Sequence, residues 1–171
     1  MKTRPILFNG EMVRAILAGK KTQTRRPVKM PKGAGSIAWA AVLQRASELD
    51  LRTGCPFGTA GDRLWVRETF RIASPSFPDD SDDARVVYAV NEAFPEDRRW
   101  TPSIHMPRWA SRITLEIVSV RLERVSKISD ADAIAEGFET RAHFINTWAN
   151  IYGAESLNQW AWVVTFKQVA P

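Results

Sequence analysis

The longest regular pattern in this sequence is that of a β-strand. Residues Ile113–Val125 alternate between apolar and polar side chains, and the apolar phase slips near Ile117 and Val118. Because successive side chains of a strand point to opposite faces of the sheet, a slip of this kind requires an extra residue that bulges out of the pairing. A strand of this length with a bulge favours a sheet that bends, as the strands of a barrel do.

Three further segments carry strand patterns, and one more is extended. Trp160–Val169 alternates in the same way, and shorter patterns cover Arg63–Ile72 and Arg85–Val90. Lys21–Val28 reads as a short extended segment that ends near a proline. Several strands joined by turns, without regular strand–helix alternation, predict a predominantly antiparallel sheet.

Helices are short and few. They are predicted over Gly10–Ala18, over a segment opened by the capping box of Ser129 and Asp132, and over Arg141–Tyr152, with Ala38–Leu51 as a further candidate. The fold class predicted from this order is α+β, a mostly antiparallel β-barrel with short flanking helices. The side chains predicted to reach the core from the last helix and the last strand are Phe144, Ile145, Trp148, Ile151, Trp160 and Trp162.

Positive charge is concentrated at the beginning of the chain. Residues 1–32 contain nine Lys and Arg against one Glu, a net of +8, whereas the whole chain has a net charge of +5. A local excess of this size indicates an anionic partner such as phosphate or nucleic acid. The alternative is a basic face that only contacts solvent.

Composition excludes several classes of protein. The single cysteine, Cys55, rules out an intrachain disulfide framework, and with only two histidines no Cys/His zinc site is expected. No apolar run approaches the length of about 18 residues that a membrane span needs. A glycine-rich phosphate loop is also absent from the sequence. We expect a cytoplasmic protein without a metal, a cofactor or a membrane partner.

Two short motifs remain as candidates for a site. Gly19-Lys-Lys-Thr-Gln-Thr-Arg-Arg26 follows the first helix, and Gly61-Asp62 opens a strand. Together with the closing strand Val163-Val-Thr-Phe-Lys167, these motifs resemble the ASCH-domain family over about Ile6 to Val169. The resemblance implies a PUA-like β-barrel and a role connected with RNA or nucleosides.

The string Ile16-Leu-Ala-Gly-Lys-Lys-Thr-Gln-Thr24 is similar to the small bacterial amidohydrolases of that family, which remove the acyl group from N4-acetylcytidine. This similarity implies a catalytic set of Lys21, Thr24 and Glu136. The chain is longer than those enzymes, with extra material at about 29–59 and 74–104, and in this it resembles a longer subgroup met in phage and prophage sequences. We expect a single domain over 1–171 with these two insertions.

The roles within that catalytic set stay open. Lys21 would act as the base only with a pKa well below the usual value of about 10.4. Burial and the charges of Arg25 and Arg26 would lower this pKa, and Glu136 would raise it. In one arrangement Lys21 activates the Thr24 hydroxyl; in the other, Glu136 is the base and a cationic Lys21 stabilises the oxyanion.

Aromatic residues interleaved with arginines suit base stacking and phosphate contact. The partner expected on these grounds is a nucleoside or single-stranded RNA. The alternatives are a non-catalytic RNA-binding module or a ribonuclease of phage or prophage origin, and the oligomeric state is not predicted. The residues expected to bind the ligand are Arg25, Arg26, Asp62, Trp65, Arg67, His105, Arg108 and Trp109.

Overall fold

The computed structural model describes residues 1–29, 54–73, 85–91 and 99–170. The expected insertions at 29–59 and 74–104 therefore lie largely outside the described residues. The single-domain organisation with two insertions stays a prediction.

Seven strands lie in the described residues: β1 (Thr3–Leu7), β2 (Gln23–Pro27), β3 (Arg63–Arg67), β4 (Phe70–Ala73), β5 (Arg85–Tyr88), β6 (Thr114–Arg124) and β7 (Trp160–Val169). Five of them form one sheet in the order β1-β3-β6-β7-β2. Its β1–β3 pairing is parallel, and its β3–β6, β6–β7 and β7–β2 pairings are antiparallel, which confirms a predominantly antiparallel sheet. The other two strands, β4 and β5, pair with each other.

The closed barrel is not confirmed. In the part of the chain that the structure describes, β1 and β2 are the two edges of the sheet, and no strand ladder joins them. A side chain connects these edges instead, because the Arg26 guanidinium donates a hydrogen bond to the carbonyl of Leu7. The same guanidinium lies 5.3 Å from the centre of the Phe8 ring.

The predicted bulge is present in β6. The register with β7 shifts between Ile117 and Ser119, and Val118 is 50% exposed. Its position is fixed by the turn before β3, since the Gly61 N–H donates to the Ile117 carbonyl and the Ile117 N–H donates to the Asp62 carbonyl. The bulge therefore joins the Gly61-Asp62 turn to the longest strand.

The part of the chain that the structure describes has three α-helices, each in a segment where the sequence predicts one. They are α1 (Gly10–Leu17), α2 (Asp130–Ala135) and α3 (Arg141–Tyr152). The Asn9 side chain caps α1, and the Ser129 hydroxyl caps α2 by accepting from the Asp132 N–H. Within the described ranges, none of the helices has the length and apolar character to span a membrane.

Two buried clusters cover β7 on both faces. Trp162, Val164 and Phe166 belong to a cluster with α1, whereas Ala161 belongs to a cluster with α2 and α3. Trp160 is only half-buried, and the Arg124 guanidinium lies 5.0 Å from its ring. The placement of Trp160 in the core was therefore only partly right.

On α3, Phe144 and Trp148 are buried as predicted. Ile151 is 61% exposed, so its predicted core position was wrong. The buried cluster shared with α2 includes Phe144 and Trp148 but does not extend to the last turn of α3, where Ile151 lies.

The prediction of one strand over Arg63–Ile72 was also wrong. β3 ends at Arg67, and β4 starts at Phe70 in the other sheet. Between them the Glu68 carboxylate is buried and accepts from Arg112 Nε at 2.9 Å and Arg112 Nη2 at 3.0 Å. A buried carboxylate needs such a partner, and alternation along the chain gives no sign of it.

We expect Arg112→Met to lower the free energy of unfolding by about 3 kcal/mol, because it leaves the Glu68 carboxylate buried without its cation. The double variant Glu68→Leu/Arg112→Met should recover most of this loss, since both charges are then absent. Urea unfolding of the two variants and the wild type measures the difference. Equal stability of the single and double variants would contradict the coupling.

Candidate functional site

Lys21 is a fully buried lysine that pairs with Glu136. Gly19 has a positive φ of 68°, which lets the chain reverse after α1, and the Lys21 N–H then donates to the Ala15 carbonyl. Lys21 Nζ donates to the Glu136 carbonyl at 2.7 Å and to Glu136 Oε2 at 2.9 Å. The two side chains are 0% and 3% exposed.

Close backbone approach brings the two residues together. Thr22 N–H donates to the Ala135 carbonyl, which joins the segment before β2 to the end of α2. Gly137 follows with a φ of 90°, and a Cβ there would lie 3.3 Å from the Cβ of Ala15 and 3.5 Å from that of Lys21. A glycine at this position therefore permits both the turn and the approach of α1.

Arg25 holds the other oxygen of Glu136. Its Nη1 donates to Glu136 Oε1 at 3.3 Å, and its Nη2 donates to Asp132 Oδ2 at 2.9 Å and to Glu123 Oε2. The Arg25 guanidinium also lies 5.8 Å from the Phe144 ring centre. Both carboxylate oxygens of Glu136 are thus held by cations.

We call Lys21, Arg25, Arg121, Glu123, Asp132 and Glu136 the ion cluster. It contains three cations and three carboxylates, and Arg121 Nη2 completes it by donating to Asp132 Oδ2 at 2.9 Å. Burial lowers the pKa of Lys21, and the Arg26 and Arg25 charges lower it further; Glu136 acts in the opposite sense but does not outweigh burial. Burial alone would raise the pKa of Asp132, but the hydrogen bond and charge of Arg25, with Arg121 and Gln23, hold it below its ordinary value.

Thr24 does not join the ion cluster. Gln23 and Arg25 point from β2 toward Asp132, so strand alternation turns Thr24 and Arg26 to the opposite face. Thr24 is buried, and the structure records no hydrogen bond between its hydroxyl and either Lys21 or Glu136. Of the three expected catalytic residues, the structure brings two into contact.

A pocket of about 360 Å³ lies beside the ion cluster, between the two edges of the sheet. Arg26 links the two, because it lines the pocket and interacts electrostatically with both Lys21 and Glu136. We call this cavity the edge pocket. Its lining residues are Pro5, Ile6, Leu7, Arg26, Pro27, Lys29, Phe57, Arg67 and Tyr152.

The edge pocket combines positive charge with aromatic surface. It contains two guanidinium groups, one ammonium group and two aromatic rings, and no described residue that lines it carries a carboxylate. Burial lowers the pKa of Arg26, opposed by Tyr152 and Glu136, but an arginine remains a cation at neutral pH. The pocket can therefore receive an anionic group and a flat ring together.

Arg67 connects the edge pocket to three of the other expected binding residues. Its Nε donates to the Met106 carbonyl at 3.1 Å, and its guanidinium lies 5.2 Å from the Trp65 ring centre. Arg108 lies 5.9 Å from the same ring. Trp109 follows in the same turn and is 63% exposed.

Asp62 lies away from this region. β1 and β3 are parallel, so Asp62 is at the end of the pair opposite to Leu7 and Arg67. Its carboxylate accepts from the Lys2 N–H at 2.7 Å and from Arg4 Nη1 at 3.1 Å, and the Lys2 bond is the main reason that its pKa is lowered. These contacts give Asp62 a structural role in the turn.

His105 is exposed in the short helical turn Ser103–His105. It has no hydrogen bond or ion pair to the ion cluster among the described contacts. The structure thus divides most of the expected site residues among the ion cluster, the edge pocket and the surface around Trp65, and it leaves Thr24, Asp62 and His105 outside these three.

Sequence reasoning missed half of the ion cluster and most of the edge pocket. Asp132 is visible in the sequence only as part of a capping box, and Tyr152 only as the last residue of a helix. Lys29 belongs to the basic segment at the beginning of the chain, which is the one signal that points to it. Arg121, Glu123 and Phe57 carry no such signal.

Comparison with known proteins places the fold. No protein-family model and no curated protein matches the chain. The crystal structure of an ASCH domain from Lactobacillus crispatus JV V101 superposes with a TM-score of 0.53 at 13% identity, covering 99% of this chain and 81% of that one. A DUF984 protein from Enterococcus faecalis V583 gives a TM-score of 0.47 at 12% identity, with coverages of 99% and 81%. The first similarity shows an ASCH-type fold, and the second is too weak to add to it.

Asp132→Asn should lower the free energy of unfolding at neutral pH. It should also make that free energy change less as the pH is lowered. A carboxylate with a lowered folded-state pKa stabilises the fold above its unfolded pKa of about 3.9, and this contribution is lost as pH falls through the lower folded value. Urea unfolding at pH values from about 7 down to about 2 would show the wild type losing this contribution and the variant lacking it throughout.

Asp130→Asn is the matched control, because Asp130 is exposed in the first turn of the same helix. If the free energy of unfolding changed with pH in the same way in the wild type and in Asp132→Asn, the ion pairs of Asp132 with Arg25 and Arg121 would not stabilise the fold.

Proposed function

We propose that this chain, which has an ASCH-type fold, binds a nucleotide or single-stranded RNA in the edge pocket. The observation that carries the proposal is the combination of Arg26, Lys29 and Arg67 with the rings of Phe57 and Tyr152 in one cavity. Guanidinium and ammonium groups suit phosphate oxygens, and aromatic rings suit a base. None of the described lining residues carries a carboxylate that would oppose an anion.

The ion cluster uses two cations of the basic segment (residues 1–32), which are then not available to a ligand. Lys21 and Arg25 are matched by Glu136, Asp132 and Glu123, so their charges are already compensated. Arg26 and Lys29 face the edge pocket instead. Within the described part of the basic segment, these two side chains are the cations placed to contact a ligand in the pocket.

Binding of a fluorescent single-stranded RNA, followed by anisotropy against salt concentration, tests this proposal. The double variant Arg26→Ala/Lys29→Ala should bind at least tenfold more weakly. Its plot of log affinity against log salt should be less steep by about 1.4, because each phosphate contact to a single strand contributes about 0.7.

The matched control is Lys127→Ala/Lys167→Ala, which changes the net charge equally at two exposed lysines outside the pocket. Equal weakening by both double variants would mean that net charge, and not the edge pocket, attracts RNA. Thermal unfolding of each variant verifies that the fold is retained.

A second candidate function is hydrolysis of an N4-acylated cytidine. The contact between Lys21 and Glu136 behind Arg26 favours it, because the two groups can divide the work of amide hydrolysis. Glu136 would take a proton from water as the water oxygen bonds to the acyl carbon, and cationic Lys21 would stabilise the oxyanion. The C–N bond then breaks, N4 receives the proton, and cytidine and a carboxylate are released.

The ion cluster is closed in the structure. This reaction therefore requires the Arg26 side chain to move so that the substrate can reach Lys21 and Glu136. Thr24 is outside the cluster, so water is the nucleophile in this scheme. Thr24→Val should therefore retain activity, whereas Glu136→Gln should reduce the rate by about a hundredfold or more.

Incubation with N4-acetylcytidine and chromatographic detection of cytidine measures both variants. Absence of cytidine with the wild-type protein would dismiss the hydrolase while leaving RNA binding intact. Loss of activity in Thr24→Val, with the fold retained, would restore Thr24 as the nucleophile.

A further inference from the structure

A second aromatic surface adjoins the edge pocket through Arg67. The Arg67 guanidinium lines the pocket and lies 5.2 Å from the Trp65 ring centre, and Arg108 lies 5.9 Å from that ring. The Trp65 ring is therefore flanked by two cations, one of which belongs to the pocket. We call Trp65, Arg108 and Trp109 the tryptophan surface.

The charge of the surrounding segment is entirely positive. Residues 99–112 contain three arginines and one histidine and neither Asp nor Glu. Arg112 is neutralised by Glu68, but Arg108 is exposed and has no ion pair to any carboxylate in the part of the chain that the structure describes. An anionic ligand that extends from the pocket past Arg67 would therefore lie close to a further cation, Arg108.

The segment is also held in place. Arg67 donates hydrogen bonds to the carbonyls of Ile104 and Met106, and Met106 is completely buried. Trp109 is nevertheless 63% exposed, which is unusual for a ring of this size. A fixed, exposed indole that follows Arg108 in the chain is suited to stacking on a base.

We propose that the tryptophan surface is a second nucleotide subsite and that the ligand is a single-stranded oligonucleotide, not a free nucleotide. This inference rests on the proposed function of the edge pocket. One nucleotide occupies the edge pocket, the connecting phosphate passes Arg67, and the next base stacks on Trp65 or Trp109 with its phosphate at Arg108. The alternating rings and cations favour a nucleic acid over an apolar protein partner.

Affinities for oligocytidylates, from the mononucleotide to the hexamer, test this inference by calorimetry. With the wild type, affinity should increase at the second nucleotide. Trp109→Ala should weaken hexamer binding by about tenfold and leave mononucleotide binding unchanged, because it removes one stacked base. Trp109→Phe should retain most of the affinity, and Arg108→Ala should reduce the salt slope for the hexamer by about 0.7.

The control is Ile134→Ala, which shortens a side chain that is 58% exposed on α2. Equal affinities for mononucleotide and hexamer, or a hexamer affinity that Trp109→Ala does not change, would overturn the second subsite while the edge pocket stands. Weakening of at least tenfold in Arg26→Ala/Lys29→Ala, together with length-dependent loss in Trp109→Ala, supports both sites. If no oligocytidylate binds to the wild type, both proposals fail.

Discussion

The pairing of Glu136 with two buried cations determines the arrangement around the site. A buried carboxylate is costly unless its oxygens are hydrogen-bonded and its charge is compensated. Lys21 meets one oxygen and Arg25 the other, and these residues come from the end of α1 and from β2. The need to compensate this one carboxylate therefore fixes α1, β2 and α2 relative to one another.

Strand alternation then divides the basic segment into two parts. Arg25 points from β2 to the ion cluster, and Arg26 points to the Phe8 side, where the edge pocket lies. The two adjacent arginines have identical chemistry but different surroundings. One is compensated by carboxylates, and the other has the Leu7 carbonyl, the Phe8 ring and Tyr152 as its neighbours.

The features that the sequence predicts well are those with local causes. The cap at Ser129 and the bulge beside Val118 each depend on a few adjacent residues. The features that it misses depend on partners far along the chain. Glu68 interrupts a strand because of Arg112, and the ion cluster requires Arg121, Glu123 and Asp132, which no spacing rule connects to residues 21–25.

The candidate site shows the same difference between features with local causes and features that depend on distant residues. Lys21 and Glu136 were expected together because of a family resemblance, and they are separated by 115 positions in the chain. Neither periodicity nor charge counting relates residues at that distance. Thr24 was expected beside them because of the same resemblance, but alternation along β2 directs its side chain away from Arg25, and with it away from Glu136.

The open edges of the sheet and the location of the edge pocket have one cause. A ladder between β1 and β2 would occupy the backbone groups of Pro5–Leu7 and Arg26–Pro27, the same stretches that line the pocket. Arg26 bridges these edges with a side chain, which leaves space beside Phe57 and Tyr152. A closed barrel would place a strand pair where the pocket is. In the described part of this chain, the departure from the expected barrel is what creates the cavity.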